Sequence, residues 1–482
     1  MAFASNQADA RKEWLLGYNP ENIRQGVDTE SSVSQFINNK LIQFSIDDCG
    51  RSLPNVMDGL KESTRKIMYV VFKTKLTPTS EKLKVEQLGA KVAEMSEYHH
   101  GESNLSGAIT KMCQSFPGSN NIPLLEGKGQ FGSRLQGGAD AASGRYVFAR
   151  MSKLTPKAFP SDDESILPYQ ESDGVTVEPK FFLPVIPMVL VNGSVGIGTG
   201  WNATIHTYNP VEVCECVEAW LDMEPIPEIH PWAKGYTGET EDLGSGRCRF
   251  TGLMHRVSGA KVRVTELPIG MWTDKYEETL EKLVAKKKIK SFANNSTKTR
   301  VDFTITEHPD IDFLEDVTTK KTITKTISSN MCTFTPDGTI KRFSNPAELI
   351  EFFCEERIEW YTVRKEAIIE KYNAELERLY NRRRYISAVI EDEITIFRVP
   401  EADVVTRLEE LNFLKIASGD SDPDYSYLLD LPNRSFTQTK VDALAETISS
   451  REAARDLAAT TEETDMWRTD LAAFKTALLK TM

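Results

Sequence analysis

Apolar positions recur along this chain with two different periods, and the changes of period divide it into segments. Val33, Phe36, Ile37, Leu41, Ile42 and Phe44 recur at helical spacing until Leu53-Pro54 ends the run. The polar residues 1–30 before it read as an arm with a short helix around residues 11–16. Asp58-Gly59-Leu60 predicts a tight turn into a helix running through Val71, and two further helices are predicted between residues 83 and 115. Lys61, Arg65 and Lys66 fall on one side of the first of these helices. A short helix, a turn and a basic helix have helix-turn-helix character, with cations able to meet phosphates, although a solvated helix face has the same pattern.

Residues 117–145 hold glycine at 118, 127, 129, 132, 137, 138 and 144, which predicts a loop. The embedded Leu124, Leu125, Phe131 and Leu135 argue against a bare linker. Residues 181–201 are apolar and strand-like, closing on glycines 193, 196, 198 and 200. Between residues 207 and 340 helical and β-rich segments alternate, for example at 261–267 and 300–306, as in an α/β domain. Residues 347–396 contain no Pro or Gly and place Phe353, Trp360, Ile368, Tyr372, Leu376, Leu379, Ile386 and Ile390 at helical steps, predicting a coiled-coil arm that Pro400 stops. A small helical module and a second long helical pattern, 437–479, complete an antiparallel hairpin with a globular tip, either a dimerisation site or a solvated end.

Composition adds little for most of the chain and something for one part of it. Of 482 residues 40% are hydrophobic and 27% charged, as in ordinary globular protein. No apolar run is long enough to span a bilayer and no basic-then-apolar leader opens the sequence, so a cytoplasmic location is expected. Seven scattered cysteines without a CxxC pair read as reduced thiols. Net charge is −13, yet residues 51–160 carry 16 Lys and Arg against nine acids. A basic segment in an acidic chain suggests one local polyanion site.

The candidate chemistry lies in that segment. A tyrosine hydroxyl, with a pKa near 10, attacks phosphorus at neutral pH only with a base and a cation beside the phosphoryl oxygens. Arg145 adjoins Tyr146, and His99 and His100 titrate near neutrality. On these residues alone, two surface histidines explain the pair equally well, and an Arg-Tyr dipeptide has almost no specificity.

The stretch from Tyr98-His99-His100-Gly101-Glu102 through Gly129-Gln130-Phe131-Gly132-Ser133-Arg134 to Gly144-Arg145-Tyr146 resembles the breakage–reunion core of type IIA DNA topoisomerases, in its eukaryotic form. Arg51-Ser52-Leu53-Pro54, Asp58-Gly59-Leu60-Lys61 and Arg65-Lys66 resemble the same family, as do residues 186–193 and Gly196-Ile197-Gly198-Thr199-Gly200-Trp201. Residues 427–429 and 465–471 are similar to the returning arm of its gate. The family often has Pro where Glu62 stands, an optional residue in a first helical turn. The resemblance implies a multidomain α+β fold: N-terminal arm 1–30, winged-helix domain 31–170 with the catalytic Tyr, α/β tower 171–342, outgoing coiled-coil helix 343–400, helical tip 401–436 and returning helix 437–482. It implies that Tyr146 forms a 5′-phosphotyrosyl link to DNA, with Arg145, His100 and Arg65 at the scissile phosphate. Lys61, Lys66 and His99 are then DNA contacts, and Ile197 the apolar wedge that enters a base step.

The family also needs Mg²⁺ from an acidic toprim fold and ATP from an ATPase fold. No Glu-Gly-Asp-Ser-Ala, Asp-x-Asp-x-Asp-Gly or Pro-Leu-x-Gly-Lys stretch occurs, nor a G-x-x-x-x-G-K-[ST] loop. No metal ligand is therefore expected here, and ATPase/toprim partner subunits are expected to supply both cofactors to a homodimer of this chain on double-stranded DNA. That layout resembles the medium subunit of T-even-type phage topoisomerases, which implies a host bacterial cytoplasm. The alternatives are a non-catalytic DNA-bending architectural protein, which would form no adduct, and a tyrosine recombinase, which would join the 3′ phosphate.

Overall fold

The helix Glu62–Lys73 begins where Lys61 is extended (φ −87°, ψ 163°) and the Thr64 hydroxyl accepts the Lys61 N–H. Seven successive residues, 65–71, are then buried, so this helix is covered on every side. In the computed structural model, which describes residues 7–18, 32–98, 101–172, 174–309, 311–314, 320–417 and 422–481, it is packed by the helices Val85–Met95 and Glu102–Cys113. A three-stranded antiparallel sheet adjoins them, with Phe148–Met151 between Leu83–Lys84 and Leu125–Lys128. Ile67, Val70, Val71, Leu88, Val92, Leu105, Ile109, Leu125 and Ala149 have no exposed surface in this core. Burial of each Leu, Ile or Val contributes about 1.5–3 kcal/mol before chain entropy is counted.

The predicted α/β character of 207–340 is present. A four-stranded antiparallel sheet, ordered Met254–Ser258, Lys261–Val264, Phe303–Glu307, Ile289–Asn294, packs on the helix Thr273–Ala285. Phe303, Ile305 and Glu307 alternate inward, and Tyr276 meets Phe303 edge-on at 5.0 Å. A second sheet is ordered Thr324–Ser328, Arg247–Thr251, Glu239–Asp242. Residues 181–201 depart from the strand-like expectation. The helix Met188–Asn192 precedes a hairpin of Ser194–Ile197 and Asn202–Ile205. Pro184 and Pro187 remove ladder donors, and a wholly buried apolar run reads alike as helix or strand.

The chain divides into two compact units, 1–357 with 467–482, and 358–466. The helix Pro346–Ile390 ends ten residues before Pro400, where Asp392 turns left-handed (φ +58°). The second long pattern is two helices, Gln438–Thr460 and Glu463–Leu479. They part at Thr461, whose hydroxyl and N–H both return to the Leu457 carbonyl, leaving Thr461 extended. Within 358–466 the helices run antiparallel: Lys365 pairs with Glu463, Glu375 with Arg451, and Ile386 packs with Val441 and Leu444. Residues 385–436 add a helical knob around Tyr385, Leu408, Phe413, Tyr425 and Leu428.

Candidate active site

Tyr146 lies between the glycine-rich loop and the central strand Phe148–Met151, and 74% of it is exposed. Its base is rigid. Val85 N–H donates to Val147 O (3.0 Å), Glu86 N–H to Gly144 O (3.2 Å), and Tyr146 N–H to Ser143 O (2.9 Å). The Arg145 side chain is 70% exposed, and its contact is a loose one, Nε to Glu86 Oε1 at 3.4 Å. Earlier in the loop Asp140 accepts from Ser133 N (2.8 Å), Ser133 Oγ (2.7 Å) and Gln130 Nε2 (3.1 Å). Burial would raise this carboxyl, but the Ser133 and Gln130 bonds outweigh it and hold Asp140 below its usual range. Gly132 takes φ +90°, and a Cβ there would lie 2.5 Å from Gly138 Cα, so the loop closes only with glycine. An exposed tyrosine and an exposed guanidinium thus share one braced end of the loop.

The basic helix is a correction. Lys61, Arg65 and Lys66 do not form one open cationic face. Arg65 is buried, with Nε 2.7 Å from Asp58 Oδ2, Nη2 3.1 Å from Asp58 Oδ1, and Nη2 also donating to Leu60 O (2.8 Å). Asp58, fully buried, accepts from Leu60 N and Phe182 N as well. Lys66 is buried with its ammonium on Ser96 O (2.7 Å) and Glu178 (2.9 Å). The helix is enclosed by protein, so its cations pair with acids from elsewhere in the chain. Lys61 alone stays partly open. It lines a cavity of about 850 Å³ with Arg51, Lys111, Tyr98 and Val195. Burial, then the charge of Lys111, lowers its ammonium from the ordinary lysine value. His99 and His100 lie outside the described residues.

Ile197 is 81% exposed at the end of its hairpin strand. Val195, two residues earlier and therefore on the same face, is 69% exposed, with Gly196 buried between them. Sequence reasoning passed over Val195, although its period-two spacing from Ile197 signals it. It also missed Glu86 beside Arg145, Asp140 under the loop, and the partners Asp58 and Glu178, which no local spacing joins to their cations.

The family model for the A-subunit of DNA gyrase/topoisomerase IV matches residues 51–472. The chain belongs to this topoisomerase family. A model of the C-terminal associated domain of TOPRIM matches residues 1–49. DNA topoisomerase 2 of Invertebrate iridescent virus 6 is 38% identical over 484 residues, covering 98% of the chain and 41% of that protein. DNA topoisomerase 2 of Saccharomyces cerevisiae is 38% identical over 424 residues, covering 86% and 29%. The chain thus spans less than half the length of these curated relatives. The crystal structure of the Plasmodium falciparum topoisomerase II DNA-binding, cleavage and re-ligation domain superposes with a TM-score of 0.91 at 32% identity, covering all of this chain and 69% of that one. The mixed α/β fold is that of a type IIA breakage–reunion domain. Among the described residues, the one grouping of potential metal ligands is Glu228, His230 and Asp242, all exposed. The carboxylate that meets Arg145 beside Tyr146 is that of Glu86. By itself it does not fit Mg²⁺, which demands several oxygens in octahedral array.

Proposed function

We propose that this chain is the DNA-cleavage and religation subunit of an ATP-dependent type II topoisomerase. Tyr146 is the nucleophile. Its Oη attacks a backbone phosphorus as the bond to the 3′ oxygen breaks, leaving a 5′-phosphotyrosyl link. The phenolic proton passes to a base, the expected role of His100 with His99 beside it, and the departing oxygen takes a proton to become a 3′-OH. The open fork of Arg145 neutralises the phosphoryl oxygens as negative charge spreads over them. Arg65, closed on Asp58, fixes the turn beneath Lys61, and Lys66 ties the same helix to Glu178. Ile197, with Val195 beside it, enters a base step and bends the duplex. Two copies pair through the helical tip, each cutting one strand, and a second duplex passes before religation. Winged-helix domain, tower and coiled-coil arm are the parts of that gate. Mg²⁺ and ATP belong to toprim and ATPase partner subunits, as in the phage-type layout in a host cytoplasm.

The observation that carries this reading is the pairing of an exposed Tyr146 with an exposed Arg145 on a braced loop, in a chain of this family. The test mixes the chain with toprim/ATPase subunits, Mg²⁺ and end-labelled duplex, and traps adducts with detergent. The expected result is a protein-linked 5′ end that Tyr146→Phe abolishes. An adduct persisting in Tyr146→Phe overturns the assignment, and bending without any adduct makes the chain an architectural binder.

A further inference from the structure

The hairpin of Ser194–Ile197 and Asn202–Ile205 turns Val195 and Ile197 to solvent; it is two-stranded, a size that is marginal by itself in water, and its second strand is bridged to Asn330. Among the contacts that hold it, four join its first strand and turn to residues 48–61. A Cβ on Gly196 would lie 1.9 Å from Ser52 O, so the strand backbone runs directly against the end of the helix Ile42–Ser52. Cys49 Sγ donates to Thr199 O (3.4 Å), and Thr199 Oγ1 to Asp48 Oδ2 (3.0 Å). The fourth is Lys61 Nζ donating to Val195 O at 2.7 Å. It satisfies a strand carbonyl two residues before Ile197, and among the described residues Lys61 forms no ion pair.

We propose that Lys61 is a positioning residue for the Ile197 wedge rather than a contact to the DNA backbone. Its ammonium clamps the strand at Val195, so the Ile197 side chain projects from a fixed backbone. An apolar wedge needs that rigidity, because a strand that gives way under the load of unstacking a base step leaves the duplex straight. This inference rests on the wedge reading above.

The test uses the full chain and a short duplex carrying a fluorophore at each end, reading bend by energy transfer and affinity across a salt series. Ile197→Ala, at an exposed position, reports on the wedge itself. Lys61→Met keeps the length of the side chain and removes the donor. The expected result is that Lys61→Met straightens the duplex as Ile197→Ala does, that the double variant is no straighter than either, and that the slope of log affinity against log salt is unchanged. A lysine touching one phosphate contributes about 0.9 to that slope. A bend retained in Lys61→Met, a slope reduced by about that amount, or an additional loss in the double variant overturns the proposal. A bend retained in Ile197→Ala overturns the wedge reading itself, and the positioning role with it.

Discussion

Arg145 and Arg65 sit in the same basic segment, and the resemblance places both at one phosphate, yet the fold uses them oppositely. Arg145 is 70% exposed and touches Glu86 at 3.4 Å. Arg65 is buried, with a two-pronged pairing to Asp58 and a third bond to Leu60 O. A guanidinium has five donors in a fixed fork, so its use is decided by how many of them the protein has already engaged. Arg145 leaves its fork largely exposed. Arg65 closes the Asp58-Gly59-Leu60 turn and holds the start of the basic helix. Proximity in a motif therefore separates neither role; the presence of a buried acid does.

The largest effect that would break this contrast is at Asp58. Asp58→Ala strands a buried guanidinium, and removing one partner of a buried pair costs about 3–5 kcal/mol. Thermal and denaturant melting of the variant should show that loss. A melting point close to wild type would mean Arg65 is free to leave its pocket, and the contrast would collapse. Arg145→Ala is expected to do the reverse. Its melting is unchanged, while cleavage in the reconstituted complex slows about 10²–10³-fold, as when one charge-stabilising donor is removed. A variant that cleaves at the wild-type rate would leave Arg145 without a part in the chemistry.

Why the sequence showed one arginine's setting and hid the other's follows from the same physics. Helical periods and glycine runs are local, so the basic helix, the loop and the long helix Pro346–Ile390 were legible. Tyr146 was singled out through motif, and the structure adds its exposure at the end of a loop. Asp58–Arg65 spans seven residues across a turn, and Lys66–Glu178 spans more than a hundred, so neither pairing has a period. Burial of the whole helix surface likewise depends on what the rest of the chain lays over it. The apolar run misled for a related reason: residues 181–191 are all buried, and full burial erases the alternation that distinguishes strand from helix. Val195 was in reach, since its spacing from Ile197 is the strand period.

A smaller effect sharpens the Arg145 side of the comparison. Gly132→Ala places a side chain at φ +90° and 2.5 Å from Gly138 Cα. Backbone strain of that kind costs about 1–3 kcal/mol, concentrated in the loop. Cleavage is expected to fall and proteolysis within residues 128–146 to accelerate, while the Asp58–Arg65 turn stays intact. If Gly132→Ala instead left both unchanged, bracing of the loop would have no bearing on the nucleophile.

The smallest expected effect tests whether that bracing depends on charge. Asp140 accepts from Ser133 and Gln130, and although burial opposes ionisation, those bonds keep its carboxyl below the ordinary value near 3.8. A folded-state pKa that is lowered gives stability present above the unfolded value and lost as pH falls through the folded one. Asp140→Asn should therefore cost on the order of 1 kcal/mol at neutral pH, the net worth of a hydrogen bond. As pH falls below about 3.8 and through the lower folded-state value, the wild-type loop loses the same contribution by protonation, so the melting curves of variant and wild type should converge at the acid end of that window. A difference that persists at acid pH would assign the bracing to the shape of Asp140 and not its charge. The loop beneath Arg145 would then differ from the Asp58–Arg65 turn in having no electrostatic pin.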